Sequence, residues 1–155
     1  MTTPNTSTNM NVSGPFASWK VDHAAIRVPD FNAAMAWYTE KLDFRLKHSV
    51  PLAGLTFAIL ASTSDDTFIF ELLAGAGADN RPIYADLHDS YKMAGWHHVC
   101  FRVENVDRAV QELKRRSVKI VTEPKDVAAM GLRVAFFADP WDNIFEIIQS
   151  LNEQS

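Results

Sequence analysis

Four side chains in this sequence stand at matched intervals and are of types that bind metal ions. His23 and Glu71 are 71 − 23 = 48 residues apart, and His98 and Glu146 are 146 − 98 = 48 residues apart. One shift of 75 carries the first pair onto the second (98 − 23 and 146 − 71). Two imidazoles and two carboxylates suit one divalent first-row ion, such as Zn²⁺, Ni²⁺, Co²⁺, Mn²⁺ or Fe²⁺. A closed structural zinc fits less well, because such sites usually use cysteine thiolates and none belongs to the set. If the ion is six-coordinate, two positions remain for water or for adjacent oxygens of a small-molecule substrate. Taken singly, each residue has a plain structural explanation. Four at two matching repeat positions do not.

The elements that must position them follow the same shift. HAAIRVPDFNAAM (His23 to Met35) lies over HVCFRVENVDRAV (His98 to Val110), and IFELL (Ile69 to Leu73) over IFEII (Ile144 to Ile148). An internal repeat of this kind implies two copies of one supersecondary unit. Each copy reads as strand, helix, then three strands. The leading strands are Trp19 to Val28 and Trp96 to Val103, followed by helices capped at Asp30 and Asn105. The later strands are Phe44 to Val50, Leu55 to Ala61 and Thr67 to Leu73, then Val118 to Thr122, Leu132 to Phe137 and Asn143 to Gln149. The expected fold is α+β, two tandem βαβββ modules forming a curved eight-stranded open half-barrel with helices outside. Module one spans residues 19–74, a linker 75–95 and module two 96–150, after a disordered or loosely docked tail at 1–18. Strand alternation puts His23, Ala25 and Arg27 on one face, and likewise His98, Cys100 and Arg102. It turns His97 to the opposite face. A carboxylate such as Glu71 or Glu146 among Ile, Phe and Leu is costly unless paired, hydrated or bound to a cation.

Composition narrows the partners. A net charge of −4 argues against nucleic acid, since the basic triplet Lys114 to Arg116 merely closes a predicted helix where cations suit the dipole. The single cysteine, Cys100, excludes an internal disulfide framework and fits a reducing compartment, where it reads as a small core residue. No apolar run approaches the roughly 18 residues that cross a bilayer, and the start of the chain lacks a secretory pattern. The expectation is a cytoplasmic protein with no membrane partner.

The motifs DHAAIRVPDFNAAMAWYTEKLDF, TFIFELL, GWHHVCFRVENVDRAVQEL and VAFFADPWDNIFEII resemble the vicinal oxygen chelate superfamily from Trp19 to Ser150. That superfamily includes glyoxalase I, methylmalonyl-CoA epimerase, extradiol dioxygenases and antibiotic-resistance proteins. The resemblance implies that His23, Glu71, His98 and Glu146 ligate one divalent ion, a set closest to that of glyoxalase I, in a chain that pairs as a homodimer. It implies a metal-dependent glyoxalase-like lyase or isomerase/epimerase working by proton transfer beside a carbonyl through a metal-stabilised enolate. Glu146 is the expected base and Glu71 its symmetric counterpart. The alternatives are a single-domain extradiol ring-cleaving dioxygenase and a binding or resistance protein without catalysis. Arg27 falls where glyoxalase I has a glutathione-contacting arginine, yet ELLAGAGAD replaces the Asn-Trp segment that helps hold glutathione there. Methylmalonyl-CoA epimerase typically has Gln where Glu71 stands, and extradiol enzymes use two His and one Glu. Expected substrate contacts are Trp96 and Trp141 as walls, with Arg27 and Arg133 for an anionic group. The segments 79–93 and 124–133 are expected to cover the mouth.

Overall fold

The structure, a computed structural model, describes residues 14–64 and 66–151, so most of the expected tail lies outside the described residues. Along them run β1 (His23–Val28), α1 (Phe31–Leu42), β2 (Arg45–Leu52), β3 (Leu55–Ala61) and β4 (Ile69–Ala74). A short α2 (Leu87–Ser90) in the linker precedes β5 (His98–Arg102), α3 (Val106–Arg115), β6 (Lys119–Val127), β7 (Leu132–Ala138) and β8 (Ile144–Ser150). The doubled βαβββ order and the open, unclosed arrangement of eight strands are those expected.

Local chemistry explains the boundaries. Asp30 accepts from the Ala33 amide at 2.7 Å and Asn105 from that of Arg108 at 2.8 Å, so both helices start on side-chain caps worth about 1 kcal/mol each. Ala53 and Gly54 both take positive φ (52° and 79°), the two-residue turn whose twist suits the β2–β3 hairpin. The turn into β8 is built around Asp139, which accepts from the amides of Trp141 and Asn143, both at 2.9 Å. The segment 124–133, expected to cover the mouth, is largely regular secondary structure. β6 runs on past Pro124 to Val127, with register shifts around the proline, and a 3₁₀ turn (Ala128–Met130) ends at Gly131.

The strands form two ladders of four, ordered β1-β4-β3-β2 and β5-β8-β7-β6, so β1 and β5 are both edges. Their registers repeat the 75-residue shift: Ala25 lies opposite Glu71, and Cys100 opposite Glu146, in parallel pairs. Each sheet has one helix-covered face, and the two covered faces meet in a shared core. Phe70 of β4 approaches Phe145 of β8 at 5.9 Å between ring centroids, and Tyr38 of α1 approaches Phe145 at 6.3 Å. The Tyr38 hydroxyl donates to Asp139 at 2.7 Å, tying module one's helix to the turn before β8. A second core lies on the opposite face of the β5–β8 sheet. There the linker residues Tyr84 and Leu87 pack on Val134, Phe136 and Ile144.

Candidate metal centre and cavity

Alternation from this core decides where the four candidate ligands point. Phe70 and Phe145 face each other, so Glu71 and Glu146, one residue on, project from the opposite faces of their sheets. Each carries its histidine with it. His23 Nε2 lies 3.5 Å from a Glu71 carboxylate oxygen, and His98 Nε2 lies 3.2 Å from one of Glu146. The carboxylates are largely withdrawn from water, at 15% and 17% side-chain exposure, beside Ile69 and Leu73 in one sheet and Ile144 and Ile148 in the other. The structure thus brings the expected residues together as two pairs. Among the described residues it gathers no group of three or more His, Cys, Asp or Glu able to hold an ion.

A cavity of about 370 Å³ runs between the edges β1 and β5, bordered by His23, His98, His97, Arg81, Asn143 and Trp96. Trp96 is 94% exposed, a wall on one side only. Arg81 comes from the linker. Among the described residues its guanidinium makes only long contacts, 3.4 Å to Asn143 Oδ1 and 3.4 Å to the Trp96 carbonyl, and so keeps donors for a ligand. It lies in the segment 79–93 expected to cover the mouth, where no periodicity singles out a loop residue.

Three expected contacts are differently employed. Arg27 spends its guanidinium on backbone carbonyls, those of Val28, Leu73 (2.9 Å) and Ala76 (2.7 Å), and so closes the ends of β1 and β4. Arg133 is held by Asp107 at 2.7 and 2.8 Å and by Asp126 at 2.6 Å, away from the cavity. Trp141 packs against the shared core. Cys100 is exposed rather than core, on the His98 face. Desolvation, then a hydrogen bond and the charge of Glu146, push its thiol up to about 12, which keeps it protonated and unreactive.

His97 corrects the alternation argument. It precedes the first paired residue of β5, so the strand rule does not reach it, and its ring borders the cavity. Its Nδ1 lies 2.8 Å from His98 Nδ1, and its Nε2 lies 2.8 Å from the hydroxyl of the buried Ser90. Burial, then the neighbouring His98 and Arg81, lowers its pKa below the usual 6.5. In the other half His23 Nδ1 lies 2.7 Å from Asp22, and that hydrogen bond chiefly raises the His23 pKa, with Glu71 adding to it.

Comparison with known proteins agrees with this frame. The family model of the glyoxalase/bleomycin resistance protein/dioxygenase superfamily matches residues 20–147. The chain belongs to this superfamily. A mitochondrial methylmalonyl-CoA epimerase of Bos taurus is 34% identical over 121 residues, covering 76% of this chain and 65% of that protein. A lactoylglutathione lyase of Oryza sativa subsp. japonica is 32% identical over 131 residues, covering 82% of this chain and 42% of that one. The chain therefore spans less than two thirds of the length of these relatives. A glyoxalase family protein from Enterococcus faecalis has the same fold, with a TM-score of 0.70 at 20% identity over 84% of this chain and 97% of its own. Among the described residues no helix is long and apolar enough to cross a membrane.

Proposed function

We propose that this superfamily member is a metal-dependent enzyme that moves a proton on a carbon beside a carbonyl, an epimerase or isomerase first and a lyase second, acting as a homodimer. The observation that carries this reading is the doubled pair. Each half offers one imidazole nitrogen and one desolvated carboxylate oxygen side by side, donors that suit a divalent ion. The pairs project from the faces opposite the shared core and do not meet as one group among the described residues, so we assign the four-donor set to half one of one chain against half two of its partner. Two further features support that pairing. β1 and β5 are edge strands with a free ladder side, and the apolar Trp19 and Val21 before β1 and Trp96 before β5 stand exposed, as unburied interface residues do.

A divalent ion bound by these donors supplies Lewis acidity toward the substrate carbonyl. Glu146 is assigned as the base that takes the proton from the adjacent carbon. Glu71, brought by the other half, returns it: on the opposite face for epimerisation, on a neighbouring atom for a lyase or isomerase. Arg81 receives an anionic end of the substrate, and Trp96 excludes water once a partner covers its free side. The epimerase reading leads because Arg27 is committed to backbone carbonyls and is not free to hold glutathione. The bovine relative, a methylmalonyl-CoA epimerase, points the same way, toward an acyl thioester.

Subunit mixing tests the shared site. His23→Ala and His98→Ala should each lose metal and activity as pure variants. Random mixing makes half of the dimers mixed, and each of these has one intact site, so about a quarter of wild-type sites should return. No recovery in a mixture shown to exchange subunits would place each site within one chain. Solvent deuterium should enter the substrate without oxygen present; strict oxygen consumption would favour the ring-cleaving alternative.

A further inference from the structure

We infer that Asp22 and His97 are paired positioning residues, which preset the two ligand histidines in the tautomer whose Nε2 lone pair faces its glutamate. The inference rests on the metal reading above and deepens it. The two residues occupy equivalent places, since 97 − 22 = 75 is the repeat shift, and each directly precedes its histidine.

The polarity of the His97 arm follows from counting protons. Ser90 Oγ lies 2.6 Å from the Leu87 carbonyl oxygen, and a carbonyl has no proton to give. The single hydroxyl proton of Ser90 must therefore point at Leu87. The same oxygen, 2.8 Å from His97 Nε2, is left only to accept, so His97 carries its proton on Nε2. Its Nδ1 is then a lone pair, and the proton in the 2.8 Å contact with His98 belongs to His98 Nδ1. With its proton on Nδ1, His98 turns a bare Nε2 toward Glu146. Ser90 is fully buried, so water does not offer the chain a different partner.

The Asp22 arm reaches the same end in one step. An ionised carboxylate only accepts, so His23 Nδ1 donates to Asp22 at 2.7 Å, and His23 Nε2 faces Glu71 with its lone pair. In each half, then, the neutral imidazole turns a lone pair toward a carboxylate oxygen, at 3.5 and 3.2 Å, an arrangement that a metal ion or a proton on Nε2 relieves. The halves differ in exposure: Asp22 is solvated at the surface, while the His97–Ser90 arm runs into the linker helix α2. A hydrogen-bond partner on the far ring nitrogen of a ligand histidine fixes its ring orientation and tautomer.

Nitrogen NMR of the metal-free full chain in mildly alkaline buffer reads the tautomer directly, independent of activity. His98 should be protonated at Nδ1 in the wild type. His97→Phe, which keeps ring volume but no acceptor, should turn it toward the Nε2-protonated form that free histidine favours. Ser90→Ala should do the same and serves if His97→Phe does not fold. His97→Asn, which restores an acceptor near the Nδ1 position, should rescue the wild-type tautomer. Calorimetry with Co²⁺ should show binding weakened about 10–100-fold in His97→Phe and recovered in His97→Asn. An Nε2-protonated His98 in the wild type overturns the inference, as does unchanged tautomer and Co²⁺ affinity in His97→Phe. A wild type with the expected tautomer but no Co²⁺ binding upholds the positioning and overturns the metal reading instead.

Discussion

Tyr38→Phe removes one oxygen from a wholly buried cluster and tests how the two modules are locked together. The phenol ring packs against Phe44, Phe70 and Phe145, and phenylalanine preserves those contacts. What disappears is the 2.7 Å donation to Asp139, the residue whose turn delivers Asn143 to the cavity and Glu146 to β8. Tyr38 is 0% exposed and Asp139 2%, so solvent screening does not discount the bond. A hydrogen bond to an ionised group is worth about 1.5–3 kcal/mol, and Asp139 keeps its other donors at Asn143 and Trp141. At roughly 2–4 °C per kcal/mol for a chain of this size, Tm should fall by about 3–12 °C.

The pH dependence has a definite sign. Burial, opposed by the hydrogen bonds from Asn143 and Tyr38, holds the Asp139 pKa above its ordinary 3.8. The stability contributed by its protonated form is fully present below 3.8 and is lost as pH rises through the folded value. Deleting the Tyr38 donor raises that folded value further. The penalty of Tyr38→Phe is therefore largest at neutral pH and shrinks in acid toward the roughly 0.5–1.5 kcal/mol of a neutral bond. Urea unfolding of wild type and variant, metal-free and at one protein concentration, at pH 7.5 and again in acid, measures both numbers. A neutral-pH loss below about 0.5 kcal/mol, or one equal at both pH values, would refute the reasoning.

Two other substitutions separate binding from structure. Arg81→Gln should raise KM for an anionic substrate by roughly 10–100-fold, whereas Arg133→Gln should leave KM alone and cost at most about 1 kcal/mol of stability; equal KM effects in steady-state assays would contradict both assignments. Glu112 is pulled from its ordinary 4.5 to about 2 by hydrogen bonds from Arg115 and then Arg116, so its contribution is present above pH 4.5 and lost as pH falls through about 2. Glu112→Gln should flatten the acid-unfolding profile in that window at low salt, followed by circular dichroism, and an unchanged profile would remove the ion pairs from the account.

Much of this fold was legible because the repeat states each element twice. Asp30 and Asn105 announce their helices by capping chemistry, and Leu55 to Ala61 is β3 to the residue. The pairing of each histidine with its glutamate was legible too, since alternation and a common shift fix residues within one sheet. The partners of individual cationic side chains were not. Arg27 and Arg133 look like free cations in a sequence, and only the Leu73 and Ala76 carbonyls and the Asp107 carboxylate reveal that they are spent. His97 was misjudged because alternation was extended one residue past the paired strand, although its equivalence with Asp22 under the shift was there to be seen.

The mutual setting of the two sheets is what periodicity cannot encode. Side by side or back to back, each sheet buries the same stripe, Phe70 and Leu72 in one and Phe145 and Ile147 in the other, so both arrangements write the same alternating pattern. What separates them is contact between those stripes, and here Tyr38, Phe70, Phe101 and Phe145 interlock across the modules. With that packing Glu71 and Glu146 each project from the face opposite the shared core, and among the described residues β1 and β5 are sheet edges. The same aromatic choice that packs the two modules together therefore keeps the two His/Glu pairs in separate halves. A chain built this way has a structural reason to seek a second copy, and the mixed dimer of His23→Ala with His98→Ala asks whether it finds one.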